Sequence, residues 1–320
     1  MLRFLAFLIV LIAVAGGAWV WEQENFAEPG PSQSYQVLMI KPGEHVGAIA
    51  QQLQDQGVVN SALLYQVGVR MRGEQGALKA GEYGFATHAS MQDVTDILVT
   101  GKSIEHKITA AEGLTSQMIY DIVKNDPVLV GDAGPVPAEG TLLPETYLFT
   151  RGMTRSAMLA KMHDAQVRFI NTHWAARAPN IAVISPEEAV TLASVVEKET
   201  ALAEERRHIA SVFENRLRRG IKMQSDPTII YGITRGYPLG HGIRMSELNG
   251  ATPYNTYVIA GLPPTPICNP GKDAIAAVLD PEQTNDLYFV ATGQGGHVFT
   301  SSLVEHEKNV AKLRQLEHAH

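Results

Sequence analysis

The pattern of apolar and polar positions begins with an apolar segment and continues into two regions typical of folded domains. Residues 4–21 carry no charge, Arg3 precedes them, and acidic residues stand at positions 22, 24 and 28. A run of roughly 18 apolar residues is just long enough to cross a bilayer as a helix. The pattern predicts a transmembrane anchor over residues 1–22, with its positive end in the cytoplasm.

A cleaved signal peptide is the alternative for this segment. Ala13-Val14-Ala15 resembles a cleavage site after a short apolar stretch. Because the apolar run continues past it to Trp21, we favour an uncleaved anchor. The predicted localisation is the cell inner (cytoplasmic) membrane, single-pass, and both interpretations export everything after residue 22.

Short strand-like and helical segments follow the apolar start. Residues 23–34 are rich in Pro, Gly, Ser, Gln and Glu, which predicts a linker. Residues 35–101 alternate a strand near Tyr35–Ile40, two helices, a strand near Leu78–Tyr83 and a helix capped by Ser90. This order predicts a small α/β module.

Residues 102–320 are predicted to form a larger domain of mixed α and β segments, so the fold class is α+β. Its clearest helix begins at Ser185, which is followed by Pro186 and, at the capping-box position, by Glu188. An apolar face continues to Val196, and the helix should end near Thr200.

Composition excludes several classes of function. The net charge of −7 and pI of about 5.9 offer no broad basic surface, so no nucleic-acid partner is expected. The single cysteine, Cys268, cannot form an intramolecular disulfide and is expected to be a small packed residue. His297 and His306 have no evident third ligand, so neither a metal nor another cofactor is predicted.

Two features carry candidate chemistry. Glu197 follows an apolar helix face, and partial desolvation would raise the pKa of its carboxyl toward the range that a general acid needs. The alternative is a solvated helix end; Glu199, two residues further on, is expected on another face. The second feature is a set of loops whose amide, carboxylate and aromatic groups suit sugars, although ordinary surface turns have a similar composition: Gln224, Ser225, Asp226, Tyr254, Asn255 and Tyr257.

At these residues the sequence resembles the endolytic murein transglycosylase family. The resemblance rests on several motifs in family order: Glu139-Gly140-Thr141, Leu143-Pro144-Glu145-Thr146-Tyr147, Ala193 to Thr200, Val212 to Leu217, Gln224 to Thr228, Tyr254-Asn255-Thr256-Tyr257, Gly261-Leu262-Pro263-Pro264 and Asn269-Pro270-Gly271. It covers most of the exported chain and implies that the module at 35–101 is similar to a LysM-like glycan-binding domain.

The resemblance also implies the activity, a cleavage of the MurNAc–GlcNAc β-1,4 bond within nascent glycan strands that leaves 1,6-anhydro-MurNAc ends. It places the catalytic acid and base on Glu197, and it makes Glu145 a further groove residue beside the six polar and aromatic residues above. One carboxyl can serve both steps because the sugar's own C6 hydroxyl is the nucleophile. Peptidoglycan strands are the implied partner, with cell-wall synthases as additional ones.

Three alternatives remain at this point. The protein could be a non-catalytic peptidoglycan-binding or scaffold protein of the cell-wall machinery. It could be a hydrolase that uses water, with Asp226 or Glu199 as the partner of Glu197. It could also be a cytoplasmic lyase acting on a small molecule, which the apolar N-terminal run argues against.

Overall fold

The computed structural model describes residues 2–318, with side chains throughout apart from some positions of the first helix and positions 317–318. The chain divides into two compact units, one of residues 1–107 and 148–152, the other of residues 108–147 and 153–320. The predicted domain boundaries stay predictions.

The helices and strands of the first unit are α1 (Leu2–Ala27), β1 (Gln36–Ile40), α2 (Val46–Asp55), α3 (Ala62–Met71), β2 (Gly81–Phe85) and α4 (Met91–Thr100). Strands β1 and β2 pair antiparallel, with Leu38 opposite Tyr83. The two strands and the helices enclose a core in which Tyr65, Tyr83 and Phe85 are fully buried. The likeness of this unit to a LysM domain stays a prediction.

The N-terminal segment is a correction to the sequence analysis. Within the described part of the chain, no helix combines the length and the apolar character that crossing a membrane requires, so the prediction of a transmembrane helix over 1–22 is wrong. Crossing takes about 20 consecutive apolar residues, and the apolar part of α1 is shorter because Arg3 precedes it and the polar residues at 22–25 follow it. Phe26 is buried in the core of the first unit, stacked on Tyr65 with ring centroids 6.0 Å apart. Met1 lies outside the described residues.

Strands β3 (Glu105–Thr109) and β4 (Thr146–Thr150) form a two-stranded sheet. Two of the three boundaries between the units along the chain fall within these strands, and the third follows Gly152. The remaining elements belong to the second unit: α5 (Ser116–Asn125), α6 (Arg155–Ala175), α7 (Pro186–Glu199), α8 (Arg206–Arg218), α9 (Asp226–Thr234), α10 (Met245–Leu248), α11 (Lys272–Leu279), β5 (Tyr288–Ala291), β6 (His297–Thr300) and α12 (Leu303–His318). Strands β5 and β6 form an antiparallel hairpin.

Helix α7 is the centre of the second unit. Every residue from Ala189 to Val196 is buried, so the helix is covered on all sides rather than along one stripe. Helices α8 and α11 pack against it and complete one continuous apolar core. The last turn of α7 therefore emerges from a rigid support, which suits the placement of a reacting group.

Candidate active site

The last turn of α7 carries two carboxyl side chains that point to different surroundings. The helix begins as predicted, with Ser185 accepting from the Glu188 backbone N–H at 3.2 Å, and it ends at Glu199. Glu197 and Glu199 are two positions apart, which is about 200° around a helix. The register of α7 therefore presents the two carboxyls to different sides of the second unit.

Glu199 lies in the more enclosed of the two surroundings. The Ser225 hydroxyl donates a hydrogen bond to Glu199 Oε1 at 2.5 Å. The pKa of Glu199 is raised from 4.5 to about 7, chiefly by burial. The Ser225 hydrogen bond lowers this pKa, the charge of Asp226 raises it and the charge of Arg216 lowers it. This carboxyl therefore keeps its proton to a higher pH than an ordinary glutamate does.

A cavity of about 670 Å³ opens beside Glu199. Its polar lining includes Glu199, Arg216, Gln224, Asp226 and Tyr257, and residues of β5 and α12 also line it. The Tyr257 hydroxyl donates to Asp226 Oδ1 at 2.7 Å, which joins two of these groups. A pocket with a few polar groups against an apolar and aromatic wall is the usual form of a small-ligand or sugar site.

Two of the predicted motifs build the polar wall by pairing with each other. The Gln224 N–H donates to the Thr256 carbonyl at 3.2 Å, and the Ser225 N–H donates to Thr256 Oγ1 at 3.0 Å. Thr256 is fully buried, so this junction is shielded from water. Gln224 has a φ of +54°, a left-handed conformation that turns the chain into α9 at Asp226.

Glu197 has a different set of neighbours and is not among the residues that line this cavity. Its Oε2 accepts from the Gly271 backbone N–H at 2.9 Å. Burial raises the pKa of Glu197, the Gly271 hydrogen bond lowers it, and the charge of Glu112 raises it. Arg206, which lies 3.3 Å from Asp273 and 3.9 Å from Glu112, adds a nearby positive charge. Glu197 is therefore a partly buried carboxyl in a cluster of charges.

The other predicted site residues divide into two groups. Gln224, Asp226 and Tyr257 line the cavity, and Ser225 lies behind Glu199. The other three predicted residues do not line this cavity: Glu145, Tyr254 and Asn255.

Each of these three has a local structural contact. Glu145 is exposed and pairs with Lys272 at 2.9 Å. Asn255 is fully buried and its amide donates to the carbonyls of Glu247, Leu248 and Gly250, which holds that loop in place. The Tyr254 hydroxyl bonds to Thr265 Oγ1 at 2.9 Å.

Some groups at the cavity were not expected from the sequence. Arg216 is buried and donates to the Leu287 and Met223 carbonyls, which holds β5 and the Gln224 turn on α8. Tyr288 is in the lining as well, with Arg216 5.2 Å from its ring centroid. A buried arginine near a helix end gives no pattern that a sequence reveals, because charged residues there are usually solvated.

Neither cysteine nor metal chemistry is indicated among residues 2–318. Cys268 is buried, and burial raises the pKa of its thiol, in keeping with the expected small packed residue. No group of three or more His, Cys, Asp or Glu residues in that range is placed to hold a metal ion.

These features form a candidate site built on carboxyl groups in a scaffold of mixed α and β elements, and comparisons with known proteins identify the family. The model of the YceG-like family matches residues 38–312. The chain therefore belongs to the YceG-like family, and the resemblance read from the motifs is confirmed.

Relatives of this chain carry a functional name. A protein of Bacillus subtilis (strain 168) named endolytic murein transglycosylase is 29% identical, over 92% of this chain and 89% of the relative. A protein of Streptococcus pneumoniae (serotype 2, strain D39) with the same name is 28% identical over 96% of this chain, which spans 64% of the relative.

A solved structure is also similar. The crystal structure of a YceG-like protein from Listeria monocytogenes matches with a TM-score of 0.53 and 27% identity, over 87% of this chain and 99% of that one.

Proposed function

We propose that this protein is a peptidoglycan lytic transglycosylase and that Glu199 is its acid and base. The single observation that carries the assignment is the position of Glu199 in the wall of the 670 Å³ cavity, with a pKa of about 7. The names of the relatives from Bacillus and Streptococcus supply the reaction class and the murein substrate.

The proposed reaction uses one carboxyl twice. Protonated Glu199 donates its proton to the glycosidic oxygen as the bond from that oxygen to C1 of MurNAc breaks. The C6 hydroxyl of the same MurNAc then attacks C1 and gives its proton to the Glu199 carboxylate. The products are a strand with a free 4-hydroxyl on GlcNAc and a strand with a 1,6-anhydro-MurNAc end; no water is consumed and Glu199 is protonated again.

The surroundings of Glu199 support both of its forms. Burial favours the neutral acid before bond cleavage, and the Ser225 hydroxyl stabilises the carboxylate that follows. Asp226, held by Tyr257, places a negative charge nearby that would stabilise positive charge developing on the sugar. Gln224 offers an exposed amide to sugar hydroxyls.

The prediction from the sequence that Glu197 is the acid and base is untested and stands as the alternative to Glu199. Its carboxyl accepts a backbone N–H and lies among charges, an environment suited to holding the loop at Gly271. We assign Glu197 a positioning role, since that loop follows the Asn269-Pro270 motif and precedes α11.

Murein lies outside the cytoplasmic membrane, so the proposed enzyme acts on the extracytoplasmic side. A reporter fused after residue 320 that is active only outside the cytoplasm tests this location. Cell-wall synthases stay predicted partners.

Digestion of purified peptidoglycan, read by mass spectrometry, tests the proposal. Wild-type protein should release muropeptides that are lighter by one water than the products of hydrolysis, and Glu199→Gln should release them far more slowly. Products that contain the added water would indicate a hydrolase instead, with Asp226 as the second carboxylate. Binding to sacculi without any release would indicate a scaffold protein.

A further inference from the structure

The C-terminal helix contributes a second wall to the cavity beside Glu199. Leu303, His306, Val310 and Arg314 all line it. Their spacing of three, four and four residues places them on one face of α12. At 1.5 Å per residue, this face extends over about 16 Å. Because α12 packs on β5 and β6, which belong to the same unit, the face is held against the rest of the cavity.

The two walls differ in their chemistry. The wall from α7 and α9 presents the carboxyl groups of Glu199 and Asp226. The wall from α12 is apolar at Leu303 and Val310 and ends at the guanidinium of Arg314. A ligand that fits both walls needs a neutral polar part for the first wall and an anionic group for the last turn of the second.

Of the basic groups in the cavity lining, Arg314 is the one available to a ligand. Arg216 is occupied by backbone carbonyls, and His297 pairs with Glu205 at 2.6 Å. Burial and the charge of Arg216 lower the pKa of His306, which disfavours its cationic form. Arg314 is exposed, and no hydrogen bond or ion pair joins its guanidinium to another residue in the described range 2–318.

We propose that Arg314 binds a carboxylate of the peptide carried by the reacting murein sugar. This inference rests on the proposed function. In murein, the lactyl carboxyl of MurNAc is in amide linkage with a peptide and is therefore uncharged, and that peptide bears the free carboxylates of the strand. A guanidinium forms paired hydrogen bonds with a carboxylate. Arg314 is accordingly a specificity residue that favours peptide-bearing strands over bare glycan.

Two substrates and four proteins test the inference. The substrates are uncross-linked glycan strands with their peptides and the same strands after an amidase has removed the peptides. Because the amidase leaves the lactyl carboxylate of each MurNAc free, the bare strands are also anionic, and they differ from the first substrate in lacking the carboxylates of the peptide. The proteins are wild type, Arg314→Gln, Arg314→Lys and the matched control Lys312→Gln, which removes a positive charge from another face of α12. The readout is kcat/KM for release of anhydro ends.

We expect wild type to prefer the peptide-bearing strands. Arg314→Gln should lower kcat/KM on them about fivefold, as suits an exposed ion pair, and leave the bare strands unchanged. Arg314→Lys should keep part of the preference, and Lys312→Gln should behave as wild type. The preference should weaken as salt is raised, because exposed charges are screened.

The inference is overturned if Arg314→Gln affects both substrates equally or neither, or if Lys312→Gln has the same effect. A wild-type protein that releases no anhydro ends from either substrate would instead contradict the proposed function. The two failures are therefore distinguishable in one experiment.

Discussion

Glu197 and Glu199 project from the same last turn of α7 into different surroundings. Glu197 accepts a backbone N–H from Gly271 and has charges of both signs around it. Glu199 accepts a hydrogen bond from the Ser225 hydroxyl and lines a cavity with room for a ligand. The difference shows that a raised pKa alone does not identify a general acid, since burial raises the pKa of both; access for the substrate distinguishes them.

The largest expected effect is on activity. Glu199→Gln cannot donate or accept the proton, so kcat should fall by about 10²- to 10⁴-fold. Glu197→Gln keeps an oxygen that can accept from the Gly271 N–H, so its kcat should fall by less than about tenfold. The rate of release of anhydro ends measures both. The reverse order would return the acid and base role to Glu197.

The next effect is on stability as a function of pH. The folded-state pKa of Glu199, about 7, lies above the ordinary value of 4.5, so ionisation opposes folding. The contribution of Glu199 to the free energy of unfolding is therefore retained below pH 4.5 and is lost as the pH rises from 4.5 to about 7. The loss is about 3 kcal/mol at most. Glu199→Gln removes this loss and should be more stable than wild type at pH 8 but not at pH 4.

Urea unfolding at the two pH values measures that difference, and Glu197→Gln is the matched control. Its gain at pH 8 should have the same sign and be smaller, because the Gly271 N–H stabilises the ionised form of Glu197. An equal stability of wild type and Glu199→Gln at pH 8 would show that Glu199 is not desolvated.

Substitutions of Tyr257 and Tyr254 should differ in their effect on kcat/KM, by less than the two glutamates do. Tyr257→Phe removes the hydrogen bond to Asp226 in the cavity wall, and kcat/KM should fall about fivefold. Tyr254→Phe removes a hydroxyl that bonds to Thr265, so it should leave kcat/KM within about twofold of wild type. Steady-state rates on purified strands compare them. Equal losses would place both tyrosines at the substrate.

The smallest effect is a displacement of the pH profile. The Ser225 hydroxyl lowers the pKa of Glu199, so Ser225→Ala should raise it. Since the acid form is required, the alkaline limb of kcat/KM should move to higher pH. Ser211→Ala, which removes a hydroxyl bonded to Thr284 instead, is the control and should leave the limb in place. If the alkaline limb stayed in place in both variants, the group that titrates in the pH profile would not be Glu199.

Local signals in the sequence were sufficient for part of this architecture. The start of α7 at Ser185-Pro186 is confirmed because its cap is a contact between neighbours in sequence. Helix α9 was not predicted, although Asp226-Pro227 opens it, because the surrounding Gly- and Pro-rich composition is typical of loops. Strand β6 was also missed, since its pairing with β5 is decided by the hairpin and not by its own four residues.

The sequence by itself determined the family, the short list of polar motifs and the turn of α7 that carries the carboxyls. Only the tertiary structure decided which carboxyl meets a cavity, because that depends on Ser225, Tyr257 and α12, which are distant in sequence and come together through packing of the second unit. It also decided the burial of Phe26 at the end of α1, since this side chain stacks on Tyr65 of α3, which is distant in sequence. Helix caps and local hydrogen bonds depend on residues that are neighbours in sequence, whereas the desolvation of a carboxyl and its access to a substrate depend on the packing of the whole fold.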